Sequence, residues 1–379
     1  MDPADVVLRF LEGVGRKSEA EFYLGLFRAA AKERFAAIAV DASVARHAFD
    51  AVVVDLRFLA ALGLTPVVTF GLFEPTDALE HAAKLRRRLG KAGVPAEVVA
   101  PSDVDRIVAA TRGATLPIVA YGTVQGTTVD ERFDAFASLV ATLETRKLIF
   151  LSRRGGLVQK GAPLAIVNLT KDFEAIAASK ELSRKQQAIL TQARRLVFER
   201  VPHRLTVSMT SPFELLRELF TVRGAGTLLR RGAVIQRKEG LAEVDQARLT
   251  ALVASSFGRA PTEGFLARPV SRIYLEEGYR GAAMMIDTPL GGYLTKFAVD
   301  REAQGEGLGR DLWDLMAVDY ATVFWRARPE NPINTWYARE ADGLHRAADW
   351  HVFWKGLSTQ RIPEAIAFAR AQPVDLAES

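Results

Sequence analysis

Along residues 3–34 apolar side chains recur at helical spacing: Val6, Val7, Phe10 and Leu11, then, after a break at Gly13 and Gly15, Phe22, Leu24, Phe27 and Ala31. That periodicity predicts two amphipathic helices ahead of the main core. Short apolar runs follow at 35–40, 65–70, 97–99, 116–120 and 148–151, with helical stretches at 51–62, 77–89 and 132–143 between them. Strands that read as near-continuous apolar runs and alternate with helices predict a mainly parallel sheet covered on both faces. A helical segment at 183–201 leads through 210–220 into Val222-Arg223-Gly224-Ala225-Gly226-Thr227, whose glycines mark close backbone approach or positive φ. Beyond Gly240 the pattern changes to a helix at 243–256, strands near 271–276, 281–287 and 292–299, a glycine-rich turn, a helix and a last strand at 321–328. The expected organisation is N-terminal helices over 1–34, an α/β domain over 35–237 and a second α/β domain over 238–379.

Composition narrows the chemistry. A 379-residue chain is long enough for two cores, and 49% hydrophobic with 25% charged residues is the balance of a soluble globular protein. The excess of 50 Lys+Arg over 45 Asp+Glu is small, and neither Lys84-Leu85-Arg86-Arg87-Arg88 nor Leu229-Arg230-Arg231 is interleaved with stacking aromatics. Nucleic acid is therefore not an expected partner. The absence of cysteine removes disulfides, thiolate nucleophiles and thiolate metal sites. The five histidines show no ligand spacing, and no metal is expected. With Asp2, Asp5 and Glu12 at the N-terminus, no apolar leader core and no long uncharged apolar window, no membrane association is expected and a cytoplasmic setting is.

The sharpest motif is Gln304-Gly305-Glu306-Gly307-Leu308-Gly309-Arg310, which follows one strand and opens a helix carrying Leu308, Leu312, Leu315 and Met316 on one face. Unsatisfied N–H groups at a helix N-terminus bind phosphate, and glycines let its oxygens reach the backbone. A dinucleotide fold would place such glycines after the first strand of a βαβ series, with an acidic residue ~20 positions later. In the preceding strand, simple alternation puts Leu294, Lys296 and Ala298 on one face and Tyr293, Thr295 and Phe297 on the other. Lys296 is then a cation in an apolar row, either a partner for a substrate carboxylate or an edge lysine reaching water. In the last strand Phe324, Arg326 and Arg328 share a face opposite Val323, Trp325 and Ala327, and the two arginines form a plausible carboxylate fork. Tyr337, after Asn331-Pro332-Ile333-Asn334, is either a core aromatic or a phenol able to protonate a departing thiolate.

The Q-x-x-G-x-G spacing resembles the coenzyme A pyrophosphate loop of the GNAT acetyltransferases. Together with 293–299, Phe324-Trp325-Arg326-Ala327-Arg328, 331–337, Asp342-Gly343 and Trp350-His351-Val352-Phe353-Trp354, it resembles the acetyltransferase domain of vertebrate- and fungal-type N-acetylglutamate synthases over roughly 240–370. That family couples this domain to an N-terminal amino-acid-kinase fold, and the segment from Glu218 to Thr227 is similar to its arginine-binding segment. The implied fold class is α/β, an amino-acid-kinase-like three-layer domain with a mainly parallel sheet plus a C-terminal GNAT domain. The resemblance implies that Lys296, Arg326 and Arg328 grip the glutamate carboxylates and that Asn331 and Tyr337 serve catalysis. It also implies that Phe297, Ala298, Val299, Gln304, Gly305, Gly307, Leu308, Gly309 and Arg310 hold acetyl-CoA. Glu218, Gly224 and Gly226 would line an arginine site, and a homotetramer would form through the kinase-like domains.

The kinase-like half departs from its own pattern. Acetylglutamate kinases carry a Lys and paired glycines after the first strand, where this chain reads Ile38-Ala39-Val40-Asp41-Ala42. The glycine-rich loop after the second strand is Thr69-Phe70-Gly71-Leu72-Phe73-Glu74-Pro75, and the asparagine- and aspartate-bearing motif is Val129-Asp130-Glu131-Arg132-Phe133. Loss of the lysine and the glycine cradle predicts no phosphoryl transfer. The expected reaction is glutamate plus acetyl-CoA giving N-acetylglutamate plus CoA, with the ammonium proton passing to water or a backbone-ordered relay. Two alternatives stay open: a GNAT for another carboxylate-bearing amine, and a non-catalytic arginine sensor.

Overall fold

The computed structural model describes residues 17–29, 31–122, 127–221, 224–304 and 306–377. The helix expected around Val6 to Leu11 lies outside them. The chain divides into two compact units between Gly232 and Ala233. The boundary expected at 237 falls inside a strand of the second unit, Ile235–Lys238, which pairs antiparallel with Arg272–Glu276, so the division comes earlier.

The first unit begins with α1 (Lys17–Ala29) and then alternates: β1 (Ala37–Val40), α2 (Ala42–His47), α3 (Phe49–Ala61), β2 (Val67–Phe70), α4 (Ala78–Lys91), β3 (Ala96–Val99), α5 (Val104–Arg112), β4 (Leu116–Ala120), α6 (Val129–Thr142) and β5 (Lys147–Leu151). It continues through β6 (Ile166–Asn168), α7 (Arg184–Arg195), β7 (Thr206–Thr210), α8 (Leu215–Phe220) and β8 (Gly226–Arg230). The eight strands lie in the order β3-β4-β2-β1-β5-β7-β8-β6, parallel except where β8 runs against β7. Every residue of β1, β2 and β4 is buried, as the uninterrupted apolar runs require of a sheet covered on both faces. Ile38 and Val40 pack with Leu56 and Leu59 of α3 and Leu85 of α4. Ala37 and Ala39 face Phe133 and Phe136 of α6 and Ile189 of α7 on the other side. Helix starts are set locally: Thr128 with Glu131 and Ser183 with Gln186 form capping boxes on α6 and α7, satisfying backbone donors that would otherwise be orphaned.

The second unit is a seven-stranded sheet built from β9 (Ile235–Lys238), β10 (Arg272–Glu276), β11 (Gly281–Thr288), β12 (Gly291–Val299), β13 (Val323–Ala327), β14 (Gly343–Arg346) and β15 (His351–Lys355) in the order β9-β10-β11-β12-β13-β15-β14. Only β12 and β13 pair in parallel. On one face α10 (Leu308–Asp319) and α11 (Asn334–Glu340) bury Leu312, Trp313, Met316 and Tyr337 against Met285, Leu294, Phe297, Trp325 and Phe353. The other face carries α9 (Gln246–Phe257), over Ile273, Met284 and Ala298, and α12 (Ile362–Ala371), over Tyr293, Phe324 and Val352.

Candidate active site

The central feature of the second unit is where β12 and β13 part. Their parallel register joins Gly292 with Val323, Tyr293 with Phe324 and Leu294 with Trp325, and stops there, while β12 runs on to Val299 and β13 to Ala327. At the same level β12 carries a bulge: Met284 of β11 pairs with Lys296 and Met285 with Leu294, leaving Thr295 as an extra residue. The bulge corrects the alternation expected from sequence. One added residue reverses the faces, so Leu294, Phe297 and Val299 share the α10 face, while Tyr293, Lys296 and Ala298 share the α9/α12 face.

Lys296 is buried, with its Nζ 2.5 Å from Asp375 Oδ1 and 3.3 Å from the Thr295 carbonyl. It is not an edge lysine reaching water. Desolvation lowers its pKa below the ordinary lysine range, against the pull of Asp375. Arg326 shares this face with Phe324, as the alternation in β13 implies. It donates to the carbonyls of Ala369 and Arg370 at the end of α12 and of Pro373 beyond it, at 2.9–3.1 Å. Arg328 lies just past β13, and both guanidinium groups stack on Trp350 at 3.8 and 4.0 Å from the ring centroid. Beside desolvation, the charges of Arg268 and Arg326 also lower the Lys296 pKa, so this face of the opening gathers three cations.

Tyr337 occupies the opposite face, walled by Trp325 at 5.4 Å, Phe353 at 5.5 Å and Phe297 at 6.4 Å between ring centroids. Burial raises its phenol pKa above the usual range. Asn331 folds into the turn before α11, its Oδ1 accepting from Ile333 N at 3.2 Å, and neighbouring Asn334 donates to the Arg328 and Pro329 carbonyls.

The glycine-rich turn caps α10 on this same face. Gly307 is the N-cap, with φ +79°, a left-handed conformation that a side chain resists. Gly305 lies outside the described residues. Leu308 is buried among Phe297, Leu312 and Trp313, which anchors the first turn. A Cβ on Gly309 would sit 3.5 Å from the Phe297 ring and 3.7 Å from Val299, in the space over the end of β12. Gln304 donates to the Val299 carbonyl at 3.5 Å, and Arg310 pairs with Glu340 and Asp314. Sequence reasoning missed Arg280, which pairs with Glu306 of the turn and keeps its Nη1 buried without a hydrogen-bond partner among the described residues. An orphaned guanidinium donor beside a helix N-terminus fits a phosphate-bearing ligand.

In the first unit Glu218 is buried on α8. Its Oε1 accepts from Ser208 Oγ at 2.6 Å and its Oε2 from Ala225 N at 2.8 Å, with Lys147 Nζ 3.6 Å away. It is not a surface carboxylate paired with Arg217, which meets Glu214 instead, and Arg223 lies outside the described residues. Gly224 has φ +62°, and a Cβ there would lie 2.5 Å from Glu218 Oε2. Gly226 opens β8 against Thr210. Glu218 and Gly224 are thus in contact, and the carboxylate is engaged by backbone and hydroxyl donors. At the ends of β1 and β2, Asp41, Lys185 and Glu74 form an ion-pair trio, with Lys185 2.8 Å from Glu74 Oε1.

Comparison with known proteins follows the same division. The family model described as the N-acetyltransferase of N-acetylglutamate synthase matches residues 236–372. An acetylglutamate kinase of Xanthomonas campestris is 30% identical over 94% of this chain and 98% of its own. The human mitochondrial N-acetylglutamate synthase is 31% identical over 90% of this chain and 73% of its own. Among solved structures, an N-acetylglutamate synthase from Neisseria gonorrhoeae complexed with coenzyme A and N-acetyl-glutamate superposes with a TM-score of 0.53 at 16% identity, covering 90% of this chain and 98% of that one. The chain belongs to the N-acetylglutamate synthase family, in the form that joins an amino-acid-kinase-like domain to a GNAT acetyltransferase domain.

Proposed function

We propose that the chain transfers the acetyl group of acetyl-CoA to the amino group of L-glutamate. The observation that carries this reading is the opening between β12 and β13, which has carboxylate-seeking cations on one face and the phosphate-type turn with a buried phenol on the other. An anionic amino acid and a thioester approaching from opposite faces meet only through that opening. Acetyl-CoA supplies the acyl group, with its pyrophosphate on the α10 N-terminus. Lys296 and Arg328 orient the acceptor, the β12 backbone past the bulge offers N–H groups to the developing oxyanion, and Tyr337 donates toward the departing sulfur. Asn331 holds the turn that carries α11 and so sets the position of Tyr337.

The same reading gives the first unit no kinase activity, although relatives matching along nearly the whole chain are named kinases. Where a phosphate would need a lysine and open backbone amides, Asp41 and Glu74 already engage Lys185 and Arg46, whose Nη2 lies 3.4 Å from Glu74 Oε2, so the cations at the site are paired with the chain's own carboxylates. Arg132 further ties down the neighbouring loop through the carbonyls of Leu72, Phe73 and Thr127. The first unit instead binds arginine as an effector beside Glu218 and Gly224. A tetramer, on the strength of the family resemblance, and a cytoplasmic setting complete the proposal. Thiol release from acetyl-CoA across a panel of amino acids, with and without arginine, tests it. Preference for another amine would replace glutamate, and no release with any amine, together with arginine binding, would favour the sensor.

A further inference from the structure

Resting on the acceptor assignment above, we infer that Lys296 and Arg268 form a cradle for one carboxylate of the acceptor, and that the chain's own Asp375 occupies this cradle until the acceptor displaces it. Arg268 comes from the segment between α9 and β10, far in sequence from the motifs that mark the site. Its Nη1 lies 2.9 Å from Asp375 Oδ2, while Lys296 Nζ lies 2.5 Å from Oδ1. Lys296 donates to Oδ1, while Oδ2 faces the Arg268 guanidinium as an ion pair whose Nη1 hydrogen-bonds Thr295 Oγ1 at 2.5 Å, so the Asp375 carboxylate sits between two cations without filling both hydrogen bonds. All three side chains are less than 10% exposed, so the contact is built into the interior rather than made in passing at the surface.

Asp375 is carried on a segment with little of its own to hold it. After α12 ends at Ala371, Pro373 prevents the helix from continuing, and 372–377 runs without helix or ladder apart from a single bridge between Leu376 and Pro261. Its backbone is tied by Thr262 N to the Asp375 carbonyl at 3.0 Å and Ala377 N to the Ala260 carbonyl at 2.9 Å. Beyond Leu376, which packs against the cluster under α9, and Gln372 Nε2, which donates to the Phe368 carbonyl, it is held by the cations: Arg326 donates to the Pro373 carbonyl, and Arg268 to Gln372 Oε1 and the same carbonyl. The tail therefore engages Lys296, Arg268 and Arg326 together. One carboxylate against three cations leaves a positive surplus, and a dicarboxylate can place its second carboxylate on that surplus, where the tail offers none. A tethered competitor raises the apparent dissociation constant of the ligand by the fraction of time the site is covered.

The test uses the full chain. Asp375→Asn keeps the shape and removes the charge. It should lower the KM for glutamate, by about tenfold if the tail covers the cradle nine-tenths of the time, whereas Arg268→Gln should raise it. In the wild-type chain, hydrogen exchange at the Thr262 and Ala377 amides should speed up on adding glutamate or the unreactive dicarboxylate glutarate. An unchanged or higher KM in Asp375→Asn, or slower exchange with either dicarboxylate, overturns the displacement. A wild-type chain that releases no thiol with glutamate counts against the acceptor assignment instead, and exchange with glutarate still decides the cradle.

Discussion

Replacing Tyr337 with phenylalanine isolates one oxygen. The ring stays packed against Trp325, Phe353 and Phe297, so the fold should keep its stability to within about 1 kcal/mol. The size of the rate effect depends on what the hydroxyl does. A free phenol, with a pKa of about 10, is a weaker acid than a thiol at about 8.5, and burial raises Tyr337 further. The proton therefore does not run ahead of bond cleavage. In the proposed mechanism the hydroxyl donates to the sulfur as negative charge gathers there, in the manner of an oxyanion-hole donor. Removing such a donor costs about 10²–10³ in kcat, or roughly 2.7–4 kcal/mol. Thiol release at saturating acetyl-CoA and glutamate should show that loss, with acetyl-CoA affinity by calorimetry nearly unchanged. The raised pKa also keeps the hydroxyl protonated as pH rises, so kcat of the wild-type chain should show no alkaline decline from Tyr337 below pH of about 10. Equal kcat in Tyr337→Phe would remove the residue from the mechanism.

Gly307→Val forces a branched side chain into the left-handed conformation at the α10 N-cap, which costs about 1–2 kcal/mol; acetyl-CoA binding by calorimetry should weaken about tenfold, and an unchanged affinity would detach the turn from the cofactor. Incubation with ATP and N-acetylglutamate should yield no ADP above a protein-free control, and steady ADP formation would restore the kinase to the first unit. Glu218→Ala strips Ser208 and Ala225 of their shared acceptor; arginine should then alter thiol release less than in the wild-type chain, and undiminished sensitivity would discard the site.

Much of this was legible because it is local. The buried runs at 37–40, 67–70 and 116–120, the turn ahead of Leu308 and the faces of β13 follow from neighbours in sequence. The misread strand shows where local reasoning stops: nothing in Tyr293-Leu294-Thr295-Lys296 marks Thr295 as extra, because a bulge is defined against the partner strand. Asp375 and Arg268 were invisible for a similar reason. Their charges meet Lys296 only after the chain has turned back across the sheet, and each alone reads as a solvated surface residue. Glu218 was found through its nearby glycines, but its contacts with Ser208 and Lys147 depend on how β7 and β5 lie beside α8.

The trio of Asp41, Lys185 and Glu74 makes the loss of phosphate chemistry hard to reverse by single steps. A lysine placed at 41 would stand beside Lys185 and Arg46 with only Glu74 left to pair them, and removing Lys185 first would strip the nearly buried Asp41 of its ion pair while Glu74 kept Arg46. Either order passes through an intermediate with unbalanced charge, and Arg132 would still grip the adjoining loop. On the proposed reading, single substitutions at this trio do not lead back to a phosphate site, and the first unit's remaining role would lie in ligand sensing and assembly.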